Sequence, residues 1–166
     1  MNDKHIKPNV YVESSVITYL ASRPSRDVVV AGRQAVSHDW WEHHRHRFGL
    51  RISALVEEEI SRGDPLAVQR RLSFIEGIPS LAISDDAASL AKSLLAEGVV
   101  PEKSKEDAPH IGIAATQGVG YLLTWNFKHI NNAEMKSAIF HVVESFGFVC
   151  PQICSPEELG CNSDDG

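Results

Sequence analysis

Short apolar runs that end in a polar residue alternate along this chain with longer stretches whose apolar residues recur every three or four positions. That alternation of period two and period 3.6 is the signature of strands followed by helices. Asn9 to Val12 reads as the first strand, with Glu13 at its carboxyl end. Ser14 and Ser15 are the expected caps of a helix through Leu20. Ser25 is expected to cap a long helix from about Arg26 to Phe48. Leu50 to Ser53 reads as a second strand, and Ser53 as the cap of a short helix that Gly63 ends. A helix from Asp64-Pro65 to about Glu76, a strand from Pro79 to Ile83 and a helix capped by Ser84 to Glu97 follow. Arg70 and Arg71 are expected to lie exposed on the first of these helices.

The most informative stretch runs from Lys103 to His129. Ser104 is the expected helix cap, with Asp107 at the reciprocal capping-box position. Ile111, Ala114 and Ala115 continue from Asp107 at helical spacing, which places one acid on an apolar stripe. Gly118-Val119-Gly120 ends the helix, and Tyr121 to Trp125 reads as a strand closing on Asn126. Lys128 to Asn132 reads as a loop, Asn132 as the cap of a helix to Phe146, Phe148 to Cys150 as the last strand, and Ser155-Pro156 as the start of a final helical turn. Strands alternating with helices predict a three-layer α/β/α sandwich on a central, mainly parallel sheet of four to five strands. Residues 1–160 are expected to form one domain and residues 161–166 a disordered tail.

The same periodicity sorts the acids. Leu55, Val56, Glu59 and Ile60 share a stripe, so Glu59 is carried towards the core while Glu57 and Glu58 face solvent. Glu13, Glu59 and Asp107, with Asn126, are therefore polar exceptions at strand ends and on apolar helix faces. Buried carboxylates are costly unless paired or metal-bound. Three acids without an inward Lys or Arg point to a hard cation, Mg²⁺ or Mn²⁺, which polarises a phosphodiester and activates water.

Composition narrows the partners. The chain has 166 residues, is 43% hydrophobic and 23% charged, and carries a formal charge of -6, which argues against long-range attraction to polyanions. It leaves room for a local basic patch. His38, His43, His44, Arg45, His46 and Arg47 crowd one helix end; they read as a solvated end complementing the helix dipole or as a contact for phosphate or a partner. Cys150, Cys154 and Cys161 are an odd set without a leader sequence, the pattern of reduced thiols in a cytoplasmic protein. No apolar run reaches the roughly 18 residues of a membrane span. The chain also lacks a Walker loop, GxGxxG and GxSxG, which removes the usual support for nucleotide triphosphatase, dinucleotide-binding and serine-hydrolase readings.

Tyr11-Val-Glu-Ser-Ser, Ile52-Ser-Ala-Leu-Val-Glu-Glu-Glu-Ile, Glu106-Asp-Ala-Pro-His-Ile and Leu122-Leu-Thr-Trp-Asn-Phe-Lys-His-Ile resemble, in order, the four acidic motifs of PIN domains, among them the VapC-type toxins of toxin–antitoxin pairs. The C-terminal stretch from Val149 to Leu159 is similar to the tail of one PIN branch. The resemblance implies a Mg²⁺- or Mn²⁺-dependent endoribonuclease with Glu13, Glu59 and Asp107 as metal ligands and Asn126 beside them at the fourth acidic position. It places Thr124 at the threonine two residues before that position, as a substrate contact, and implies a homodimer held inactive by an antitoxin protein. Lys128 and His129 lie next to the acids and are candidates for substrate phosphate; His110, three residues after Asp107, reads either as a phosphate or acid–base group or as a structural histidine. The resemblance departs at two points, with Glu rather than Asp first and a neutral amide fourth. A catalytically weak PIN-fold module binding RNA or a partner protein is the alternative, and a metal phosphatase or DNA-directed nuclease a third reading.

Overall fold

The computed structural model describes residues 6–126 and 132–160. Five strands, β1 (Asn9–Val12), β2 (Gly49–Ser53), β3 (Ser80–Leu81), β4 (Tyr121–Leu123) and β5 (Gln152–Cys154), form one sheet in the order β3-β2-β1-β4-β5. Every pairing is parallel, with Val10 opposite Leu50 on one side and Tyr121 on the other. Val10, Tyr11 and Val12 are all fully buried although successive strand residues point to opposite faces, so both faces of the sheet are covered.

Helices supply that cover. On one set, α1 (Ser14–Ala21) packs against α2 (Val28–His43), α3 (Ala54–Ile60) and α4 (Pro65–Ile75), and α2 against α8 (Pro156–Leu159). The other set is α5 (Asp85–Ala96), packed on α6 (Asp107–Thr116) and on α7 (Ala133–Ser145). This is the predicted α/β sandwich. The chain moves from β1 out to β2 and β3, then returns to place β4 on the other side of β1. The order therefore reverses between β1 and β4, and open parallel sheets bind ligands at the carboxyl ends of such a pair.

The close contact of α5 and α6 depends on one glycine. A Cβ at Gly112 would lie 2.4 Å from the backbone carbonyl oxygen of Ala87, and backbone cannot swing aside as a side chain does. Gly112→Ala is expected to push the helices apart and lower stability by about 1–3 kcal/mol, the scale of overpacking in a well-filled core; urea unfolding reads this directly.

Several elements differ from the sequence reading for definable reasons. Helix α6 begins at Asp107 after a 3₁₀ turn at Glu102–Ser104, so Ser104 does not cap it; Glu106 takes the cap position without a side-chain bond. Pro109 explains this. With Ser104 as cap, the proline would fall in the helix interior, where it clashes and lacks an N–H, whereas starting at Asp107 puts it in the tolerant first turn. The cap of α2 is Asp27, whose Oδ1 accepts from the Val30 N–H at 2.9 Å, and the helix stops at His43. A 3₁₀ turn at Arg45–Arg47 then lets the Phe48 ring stack on Trp40 with centroids 5.9 Å apart. The last strand is β5 rather than Phe148–Cys150: Pro151 intervenes, Val149 is exposed, and the pairing with β4 begins at Gln152. Arg70 and Arg71 are half-buried. Arg70 Nε donates to the Ala21 carbonyl and Arg71 Nε to that of Ile60, tying α4 to α1 and α3.

Candidate metal centre

Glu13 follows directly from β1, and its N–H donates to the Leu123 carbonyl at 3.0 Å, extending the β1–β4 pairing by one residue. Its side chain turns back to cap α1, the role expected of Ser14 or Ser15. Oε2 accepts from the Ser15 N–H (3.1 Å), the Ser15 hydroxyl and the Thr124 hydroxyl (2.9 Å), while Oε1 accepts from Ser14 Oγ at 2.8 Å. Four donors fix a buried carboxylate in one orientation. Ser14 Oγ also reaches Glu59 Oε2 at 3.3 Å, bridging the two acids.

Glu59 arrives from α3, half-buried as the stripe required, with Glu57 and Glu58 exposed. Ser53 places it by accepting the Val56 N–H at the start of that helix. Glu59 Oε1 meets His110 Nε2 at 2.5 Å. The other ring nitrogen, Nδ1, lies 2.7 Å from the Tyr11 hydroxyl, which is 2.7 Å from Ser53 Oγ. Burial pushes the Tyr11 hydroxyl well above its usual range, so it keeps its proton. Burial by itself would lower His110, but the Glu59 hydrogen bond and the charges of Glu13, Glu59 and Asp107 outweigh it and hold the imidazole above its ordinary value.

Asp107, the first residue of α6, stands at a helix N-terminus that favours its charge. Its Oδ1 accepts from Asn126 Nδ2 at 2.9 Å, and the Asn126 N–H donates to Thr124 Oγ1 at 3.1 Å. The neutral amide thus has a positive role, because a carboxylate at 126 has no proton to give Asp107. All four expected centre residues lie in one hydrogen-bonded network at the β1–β4 switch point, with Glu13 at its middle. Thr124, taken from sequence as a substrate contact, is fully buried with its hydroxyl committed to Glu13, so it positions that acid. Lys128 and His129, like residues 161–166, lie outside the described residues.

Among the described residues, the ligand atoms that lie within 4.8 Å of one another belong to Glu13, Glu59 and His110. Asp107 is a neighbour of that group, and His110 feels its charge. The donor set fits a divalent cation: two carboxylates and an imidazole converge, and among the described residues neither Glu13 nor Glu59 is paired with a Lys or Arg. Local pattern signalled Glu59 and Asp107 and left the role of His110 open; in the fold His110 meets Glu59 directly and Tyr11, 99 positions away in sequence, at its other ring nitrogen.

The crowded end of α2 is occupied otherwise. Arg45 Nη1 donates to the Trp41 carbonyl at 2.7 Å with its guanidinium over the Trp41 ring, and Arg47 Nη2 donates to the Leu159 carbonyl at 2.8 Å. His43 and His44 stand 4.0 and 3.5 Å from Asp39. These contacts support the helix-end reading. Cys150 and Cys154 are free thiols, pushed up by burial to about 11 and about 12.

Fold and centre together define a class: a parallel α/β domain of PIN-like fold with its acids gathered at the switch point. The solved structure of VapBC2 from Rickettsia felis, bound to a DNA fragment from their promoter, contains a chain that matches this one with a TM-score of 0.54 over 89% of this chain and 98% of its own. The two are 11% identical in sequence, a likeness of fold. No protein-family model matches the sequence, and no curated protein matches it. Among the described residues no helix is long and apolar enough to cross a membrane.

Proposed function

We propose that the protein is a metal-dependent endoribonuclease of PIN type, serving as the toxin of a toxin–antitoxin pair in the cytoplasm. The observation that carries this reading is the single network joining Glu13, Glu59, Asp107 and Asn126 at the point where the strand order reverses. The fold shared with the VapBC2 chain supports it and makes an antitoxin the proposed protein partner, with a homodimer as the proposed assembly. Mg²⁺ or Mn²⁺ is the proposed cofactor, held by Glu13, Glu59 and Asp107; such an ion supplies Lewis acidity and lowers the pKa of water for attack on phosphorus.

The chain's own residues then divide the work. Glu13 is preset by its four donors, so little reorganisation accompanies ligand entry. Asn126 orients Asp107. Lys128 and His129 are the proposed contacts to substrate phosphate. The expected result with pure protein is RNA cleavage that requires added Mn²⁺, stops with chelator, and exceeds cleavage of a DNA of the same sequence in the same salt. RNA that stays intact at millimolar Mn²⁺ would sink the enzymatic reading. It would favour a non-catalytic module, a reading the Glu59–His110 contact supports because that pair satisfies the acid without metal.

A further inference from the structure

His110 is 1% exposed and is gripped at both ring nitrogens. Nδ1 meets the Tyr11 hydroxyl, and Tyr11 is itself anchored by Ser53 at the end of β2. Nε2 is thereby turned towards Glu59, and His110, Glu59 and Glu13 each offer a ligand atom within 4.8 Å of the other two. A purely structural ion pair needs only the Glu59 contact. Fixing the distal nitrogen with a separate hydrogen bond is how proteins orient a histidine whose other nitrogen binds metal, because it selects the tautomer and the ring plane. Tyr11 does this from β1, two residues before Glu13, so one strand sets both an acid and, indirectly, the imidazole.

We infer that His110 Nε2 is a ligand of the divalent cation at this centre, and that Tyr11 is the positioning residue that keeps it aimed there. The inference rests on the reading of the centre as a metal site and goes beyond the all-oxygen set of Glu13, Glu59 and Asp107. A nitrogen ligand changes selectivity. Mg²⁺ favours oxygen and retains water, whereas imidazole suits the first-row transition ions. The centre is therefore tuned to Mn²⁺ or a later transition ion over Mg²⁺.

Pulsed electron paramagnetic resonance of the full chain loaded with one equivalent of Mn²⁺ tests this without any variant. The expected spectrum carries the ¹⁴N coupling of one directly bound imidazole. His110→Gln should abolish that coupling and lower the ratio of Mn²⁺ to Mg²⁺ affinity, read by calorimetry, by about tenfold or more. Tyr11→Phe removes only the hydroxyl; it should retain the coupling and weaken Mn²⁺ binding about 10–100-fold, the usual effect of losing a partner of a ligating histidine. Mn²⁺ bound to the wild-type chain without ¹⁴N coupling overturns the inference and leaves the acidic site standing. A chain that binds no Mn²⁺ overturns the proposed function, and this inference with it. A Tyr11→Phe protein that binds Mn²⁺ as tightly as wild type removes the positioning role.

Discussion

Asp107→Asn is expected to lower Mn²⁺-dependent RNA cleavage by at least about 10²-fold, the scale on which loss of one preorganised electrostatic group acts in other enzymes. The fold should survive it. Asparagine keeps the shape, and its side-chain oxygen can still accept from Asn126 Nδ2, as Asp107 Oδ1 does at 2.9 Å. What is lost is one charge at the start of α6, worth about 0.3–1 kcal/mol through the helix dipole. Circular dichroism and urea unfolding should therefore be nearly those of wild type while cleavage collapses. Cleavage that persists in a well-folded Asp107→Asn protein removes Asp107 from the centre.

Glu13→Ala should instead damage stability as well as cleavage. It deletes the cap of α1, worth roughly 0.5–2 kcal/mol, and the charge-assisted bonds from Ser14, Ser15 and Thr124, at about 1.5–3 kcal/mol for a bond to a charged group. Thr124 is fully buried, so its hydroxyl is left without an acceptor. Relief of repulsion between Glu13 and Glu59 offsets part of this, giving an expected net loss of about 2–4 kcal/mol, or roughly 5–15 °C in melting temperature. Glu13→Gln separates the two roles. Its amide oxygen can still cap the helix, so most of the stability should return while cleavage stays low. Equal melting temperatures for wild type and Glu13→Ala would contradict the cap.

The contrast between these two acids shows what the sequence made legible. Strand β1 could be read to its last residue, because a short β-prone run ends in an acid followed by serines. The stripe that singled out Glu59 from Glu57 and Glu58 was equally clear, since only one of three adjacent helical residues can share a face with Leu55, Val56 and Ile60. Misread elements had visible but opposed signals. Ser104 looked like a cap, but Pro109 forbids a helix that starts so early. Phe148 to Cys150 is as apolar as a strand, yet β5 begins only after Pro151. Glu13 was legible as a site residue but not as a cap, where the neighbouring serines have the stronger preference. The link from Tyr11 to His110 had no local trace at all: it exists because β1 and α6 meet in space, and no spacing along the chain encodes that meeting.

The same distinction governs Asn126. As a residue type it reads as a missing acid; in place, its amide donates to Asp107 and its backbone to Thr124, joining Asp107 through Thr124 to Glu13. Calorimetric titration of the full chain with Mn²⁺ reads the metal centre itself. Saturable binding below millimolar concentration, weakened by Asp107→Asn and by Glu13→Gln, is the expected result; the absence of binding at millimolar Mn²⁺ would rule out a metal centre here.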